Sequence, residues 1–137
     1  DEAILLNQDG SVSEGSGENL FMIRDGVINT PSETDNCLLG ITRDSVIQLA
    51  KDELGLEVVQ RHIHRSELYL ADEVFLTGTA AHLTSVGELD NRNIGTGETG
   101  HITKKLQDLY FKTVVGDQPN YADWCTMVTP SSGKAGG

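Results

Sequence analysis

The chain has 137 residues, 37% of them hydrophobic, and a formal net charge of -11 from 21 acidic and 10 basic side chains. That length suits one compact domain with a modest core. The charge argues against a phosphodiester-binding surface, because scattered Lys and Arg form no stripe, and no apolar run approaches the roughly 20 residues of a bilayer span. Cys37 and Cys125 lie far apart with no CxxC spacing, which speaks against a disulfide framework or a cysteine zinc site and for a reducing, cytoplasmic setting.

The first segment reads as antiparallel β-structure. Apolar runs at Ala3 to Leu6, Asn19 to Ile23 and Val27-Ile28 are separated by Asp9-Gly10 and Asp25-Gly26, and Asp-Gly between apolar stretches is a hairpin signal. The chain opens on Asp1 rather than Met, and its first run resembles a strand already under way, so a preceding segment is expected. From Thr42 the period becomes helical: Val46, Ile47, Ala50 and Leu54 share a face, Gly55 stops the helix, and Thr42 is the expected N-cap with Asp44 in the first turn.

Glu57 to Ile63 reads as a strand, Ser66 as the cap of a short helix through Leu70, and Val74-Phe75-Leu76 as a buried strand ending at Thr77-Gly78-Thr79. A hairpin-like stretch follows from Val86 to Ile94. Next comes a helix from about His101 to Val115, with Ile102, Leu106, Leu109, Tyr110 and Val114 on its apolar face. Residues 118–137, with Pro119, Pro130 and a Ser/Gly-rich end, read as a loose tail behind a domain over 1–117.

Several motifs invite chemical readings that fail on context. Gly95-Thr96-Gly97-Glu98-Thr99-Gly100 fits GxGxxG ahead of a helix, but the strand and acidic residue of a dinucleotide unit do not follow, so it reads as a Gly-rich turn. Asp90 to Gly95 lacks calcium ligands where Arg92, Ile94 and His101 stand. His62 and His64, two apart on the expected strand, could share a metal, yet no third ligand is evident.

Three other segments are more informative. In Leu38-Leu39-Gly40-Ile41-Thr42-Arg43-Asp44, a glycine precedes a helix start whose free N–H groups and Thr hydroxyl suit a phosphate, although an ordinary helix start has the same features. At Thr77-Gly78-Thr79-Ala80-Ala81 a buried strand ends in small hydroxyl residues, as ligand crevices and plain turns both do. In Glu14-Gly15-Ser16-Gly17-Glu18-Asn19 the glycines permit a bend that could aim one carboxylate inward, where it could keep a heterocyclic nitrogen protonated; a solvated surface loop is the plainer alternative.

Together, Glu14-Gly15-Ser16-Gly17-Glu18-Asn19-Leu20-Phe21, Gly40-Ile41-Thr42-Arg43-Asp44 and Ala71-Asp72-Glu73-Val74-Phe75 running into Gly78-Thr79-Ala80-Ala81 resemble the branched-chain aminotransferases of the fold-type IV pyridoxal-phosphate enzymes in content, order and spacing. The resemblance covers roughly Glu2 to Gly116. It implies the C-terminal α/β pseudo-barrel domain of that fold, with antiparallel strands and several helices, in a homo-oligomeric, two-domain enzyme. It further implies transamination between Leu, Ile or Val and 2-oxoglutarate, with pyridoxal 5'-phosphate as cofactor.

Carried over by position, the resemblance puts Glu14 at the pyridine nitrogen and Leu38 against the ring face. The amides of Ile41 and Thr42 and the Thr42 hydroxyl would hold the phosphate, joined by Thr79 beside Gly78. Amides around Thr79 and Ala80 would receive the substrate carboxylate. Leu39 stands where the family often has proline. The lysine that bonds the cofactor is expected upstream of Asp1, since Lys51, Lys104, Lys105, Lys112 and Lys134 all lie downstream of Glu14; the chain alone is therefore expected to be inactive and to need the N-terminal domain of the same enzyme. Another fold-type IV enzyme, such as a D-amino-acid aminotransferase or aminodeoxychorismate lyase, and a non-catalytic binding module are the alternatives.

Overall fold

The computed structural model describes residues 2–80 and 82–124. Strands β1 (Ile4–Leu6) and β2 (Val12–Gly15) pair antiparallel as a separate two-stranded sheet. Strands β3 (Asn19–Arg24) and β4 (Val27–Thr30) form the hairpin expected at Asp25-Gly26. Both turn residues have positive φ, 51° and 77°, the backbone that matches the twist of flanking strands.

Helix α1 (Ile41–Asp52) carries the chain back from β4, so that β5 (Val58–Gln60) lies parallel to it. The short α2 (Arg65–Leu68) leads to β6 (Glu73–Gly78), which pairs antiparallel with the other edge of β3 and on its far side with β7 (His82–Ser85). The central sheet has the order β5-β4-β3-β6-β7. A small hairpin of β8 (Glu88–Leu89) and β9 (Arg92–Asn93) precedes α3 (His101–Val114).

Alternation along β3 and β6 divides the core in two, because successive side chains of a strand point to opposite faces. Leu20, Met22, Val74 and Leu76 pack on one side with Val12, Ile63, Leu68 and Ile94. Phe21, Ile23 and Phe75 pack on the other against Val46, Ile47 and Ala50 of α1 and Leu106 of α3. There Phe21 and Phe75 stack with ring centroids 4.8 Å apart. Burial on both faces explains why β3 and β6 read as continuous apolar runs.

Several sequence expectations are corrected. Helix α1 begins one residue before Thr42: Gly40, extended at φ -74° and ψ 148°, is the N-cap and its carbonyl accepts the first helical bond from Asp44, which leaves Thr42 buried inside the first turn. The strand expected over Glu57 to Ile63 is confined to Val58–Gln60, since β4 ends at Thr30 and the next N–H on the side of β4 that faces β5, that of Ser32, donates to the Asp35 carboxylate at 2.9 Å instead. His62 and His64 therefore lie beyond that strand. Helix α2 is capped at His64, whose N–H donates to the Glu67 carboxylate at 2.8 Å, so Ser66 lies within it. Strand β7 was not expected; only Leu83 of its four residues is buried. Val114, placed on the apolar face of α3, is 47% exposed at the end of the helix.

Beyond α3, Pro119–Trp124 form a 3-10 turn that buries Tyr121. Cys125 and the Ser/Gly-rich end lie outside the described residues. Among the described residues no helix is long and apolar enough to cross a membrane.

Candidate active site

Asn19 at the start of β3 pairs with Thr77 near the end of β6, so the Gly-rich bend before β3 and the Gly78-Thr79 segment meet at one end of the sheet. Helix α1 begins at the same end. The result is a cleft of about 220 Å³ lined by Glu14, Leu38, Ile41, Thr42, Gly78 and Thr79, with Ser16, Gly17, Glu18, Asn19, Gly40 and Thr77 completing its wall. All six residues named from sequence for cofactor contact thus face one space. Ala80, named with Thr79 for substrate, follows directly and is exposed.

Hydrogen bonding shows what this cleft can offer. Gly40 provides no side-chain cap to α1. The amides of Ile41, Thr42 and Arg43, and the Thr42 hydroxyl, find no partner among the described residues, so the positive end of the helix dipole opens into the cleft. Helix α3 is the contrast. Two amides of its first turn, on Ile102 and Thr103, donate to the Glu73 carboxylate at 3.2 and 2.8 Å, so the helix start behind the GxGxxG segment is already occupied by an anion from its own chain.

Glu14 is half-buried, and its Oε2 accepts the Leu38 N–H at 2.9 Å. Oε1 has no protein partner among the described residues, so one carboxylate oxygen is left to accept a proton-bearing ligand atom. Leu38 itself is 75% exposed at the cleft mouth, with Leu39 and Ile41 also exposed beside it. Burial raises the pKa of Glu18, which also lines the cleft, and the negative charge of Glu2 adds to this.

Side chains that the sequence reading left without a role support the cleft from behind. Arg43 is 2% exposed and donates to the Pro31 carbonyl and the Gln60 side chain, both at 3.1 Å, and to Asp44 at 3.2 Å, tying α1 to the end of β4 and to β5. Asn19 is buried and donates from Nδ2 to the Leu38 carbonyl at 2.6 Å. Its place in the Glu14 to Asn19 motif was the only signal available in the sequence. Beside it, burial pushes the Cys37 thiol up, with Arg43 acting in the opposite direction.

Larger hollows exist, but they offer less chemistry. One of about 620 Å³ lies between β1, α2 and the β8–β9 turn. Two of its charged side chains pair with each other, Arg65 with Asp90 at 3.1 Å, and the Tyr69 hydroxyl also donates to Asp90. The pairing of His62 and His64 as metal ligands is not supported either, since their rings meet edge to face, Nδ1 of His62 lies against Asp35 and Nε2 against Asp9. Among the described residues no group of three or more metal-ligating side chains is found.

Residues 1–89 match the family Amino-transferase class IV. The chain belongs to the class IV aminotransferases. Over 128 residues, 93% of the chain, it is 59% identical to a protein of Aquifex aeolicus named "Probable branched-chain-amino-acid aminotransferase" and 50% identical to the branched-chain-amino-acid aminotransferase of Pseudomonas aeruginosa. It superposes with a TM-score of 0.88 and 44% identity on the crystal structure of the branched-chain amino acid aminotransferase from Thermobaculum terrenum in its PLP-bound holo-form, covering 90% of this chain and 40% of that one. The fold is therefore that of the class IV aminotransferases, with the mixed helices and largely antiparallel strands described above. The chain spans 41% of the length of the two relatives from Aquifex and Pseudomonas.

Among the described lysines of this class IV chain, Lys51, Lys104, Lys105 and Lys112 are exposed on α1 and α3, and none lines the cleft. Lys134 lies outside the described residues.

Proposed function

We propose that this chain is the cofactor-holding portion of a pyridoxal-phosphate-dependent aminotransferase that exchanges an amino group between Leu, Ile or Val and 2-oxoglutarate. One observation carries the reading: a carboxylate with an unpaired oxygen, a helix start with unpaired amides and the Gly78-Thr79 strand end line the same cleft. The fit to the cofactor is chemical. Unpaired N–H groups at a helix start suit a phosphate, and a carboxylate suits a protonated pyridine nitrogen.

In this reading the Ile41 and Thr42 amides, with the Thr42 and Thr79 hydroxyls, bind the phosphoryl group. Glu14 holds a proton at the ring nitrogen, Leu38 covers one ring face, and the amides of Thr79 and Ala80 orient the substrate carboxylate. When bound, pyridoxal phosphate supplies the electron sink that makes the substrate Cα–H bond labile. The remainder of the enzyme supplies the lysine that bonds the cofactor and most of the side-chain pocket. The exposed Leu38, Leu39 and Ile41 at the cleft mouth suit burial beneath that remainder. The working enzyme is a homo-oligomer of the cytoplasm, serving branched-chain amino acid biosynthesis; the two widely separated cysteines agree with a reducing compartment.

The test is made on the complete enzyme. Glu14→Gln keeps an acceptor for the Leu38 N–H while removing the charge, so it should retain the cofactor and lose about a hundredfold in transamination rate. Glu14→Ala should lose at least as much. Turnover at the wild-type rate in both variants would remove Glu14 from this role.

A further inference from the structure

Leu38 is gripped on both sides of its peptide unit. Its N–H goes to Glu14 at 2.9 Å, and its carbonyl accepts the Asn19 Nδ2 donor at 2.6 Å. The oxygen of the same Asn19 amide faces the chain two residues on: a Cβ built on Gly40 would stand 2.7 Å from Asn19 Oδ1. Asn19 is 7% exposed and lies at the first position of β3, directly opposite Thr77. One side chain, fixed in the central sheet, therefore sets both the course of the chain through Leu38 and how closely Gly40, the N-cap of α1, approaches β3.

From this geometry we infer that Asn19 is a positioning residue for anion binding: it places the unpaired amides at the start of α1 at the distance from the Gly78-Thr79 end of β6 that a phosphoryl group needs. The inference rests on the cofactor reading above and deepens it. Asn19 acts through the Leu38 carbonyl and the space left at Gly40. The absence of a side chain at Gly40 follows from the same cause. Gly40 has an ordinary extended backbone that any residue adopts, and Asn19 is what leaves no room for a Cβ.

The experiment compares, in the complete enzyme, the affinity for pyridoxal phosphate with that for pyridoxal, which lacks the phosphate. Asn19→Ala should weaken pyridoxal phosphate about five- to tenfold, the worth of one hydrogen bond, while pyridoxal stays within about twofold. A general loss of structure would weaken both ligands alike. Gly40→Ala approaches the same joint from the other side and should show the same selective loss with Asn19 intact. Because Asn19→Ala removes the obstacle, the double variant should bind no worse than Asn19→Ala alone.

Wild-type preference for the phosphorylated ligand that persists in both single variants would overturn the role of Asn19 and leave the cofactor reading standing. Parallel weakening of both ligands would overturn it as well. A wild-type enzyme with no preference for the phosphorylated ligand would instead overturn the cofactor reading itself, and this inference with it.

Discussion

His62 stands between two carboxylates from different parts of the chain. Its Nδ1 lies 2.7 Å from Asp35, in the 3-10 turn before α1, and its Nε2 lies 3.3 Å from Asp9, in the β1–β2 turn. Glu67 of α2 adds a third negative charge, and the edge of the His64 ring closes the cluster. The hydrogen bond to Asp35 raises the His62 pKa above its ordinary value, against a smaller opposing effect of burial. For Asp35, burial pushes the carboxyl up, but bonds from His62 and Ser32 more than offset it and the net shift is downward. The signs follow from linkage. A raised histidine stabilises the fold fully below its unfolded pKa and loses that contribution as pH rises through its folded pKa, while Asp35 contributes above its unfolded pKa and loses its share as pH falls through its folded one. The melting temperature of the complete enzyme should therefore fall as pH rises from about 6 to about 9, and His62→Gln should flatten that slope. An unchanged slope in the variant would show that the clasp adds nothing. That Glu14, Thr42 and Thr79 share one cleft was expected from the family resemblance of their three motifs taken together, since each motif alone fits a surface loop, an ordinary helix start or a plain turn equally well. The His62 clasp was not, because its partners meet only when the β1–β2 turn and the 3-10 turn fold against the segment after β5.

Helices α1 and α3 begin alike, each with an extended glycine and no side-chain cap, and differ in what faces their first amides. A carboxylate from β6 closes α3, and Gly100 makes room for it: a Cβ there would stand 2.2 Å from the Glu73 carboxyl group. The cleft leaves α1 open. Glu73→Ala should therefore destabilise the fold by about 1 kcal/mol, the usual cost of a lost helix cap, with Glu73→Gln milder and cofactor affinity unaffected in both. Thermal denaturation alongside a cofactor titration checks this; loss of cofactor affinity in Glu73→Gln would contradict the separation of the two helix starts. This difference was hidden in the sequence, where a glycine precedes each helix and nothing local announces that the Glu73 carboxylate reaches one of them. Periodicity found both long helices and the β3–β4 hairpin, since amphipathic spacing and Asp-Gly turns are local signals. It missed β7, whose residues show too little burial to form a pattern, and overextended β5, whose length is set by where its partner β4 stops.

At the scale of the molecule, one central sheet is covered on both faces, and its end at Asn19 and Thr77 is where three separate stretches of chain come together around one cleft. Fold class was legible because those stretches, taken together, resemble a known family; the sheet order and the parallel β4–β5 pair were not, because they depend on the path of α1 over the sheet. In the proposed reading the chain contributes a place to hold a phosphorylated heterocycle, and the covalent lysine comes from the remainder of the enzyme. The measurement closest to that claim is a crystal structure of the complete enzyme with pyridoxal phosphate bound. The expected result places phosphate oxygens about 3 Å from the Ile41 and Thr42 amides, with the Glu14 carboxylate on the ring nitrogen. A phosphate bound elsewhere, with those two amides facing solvent, would contradict the account.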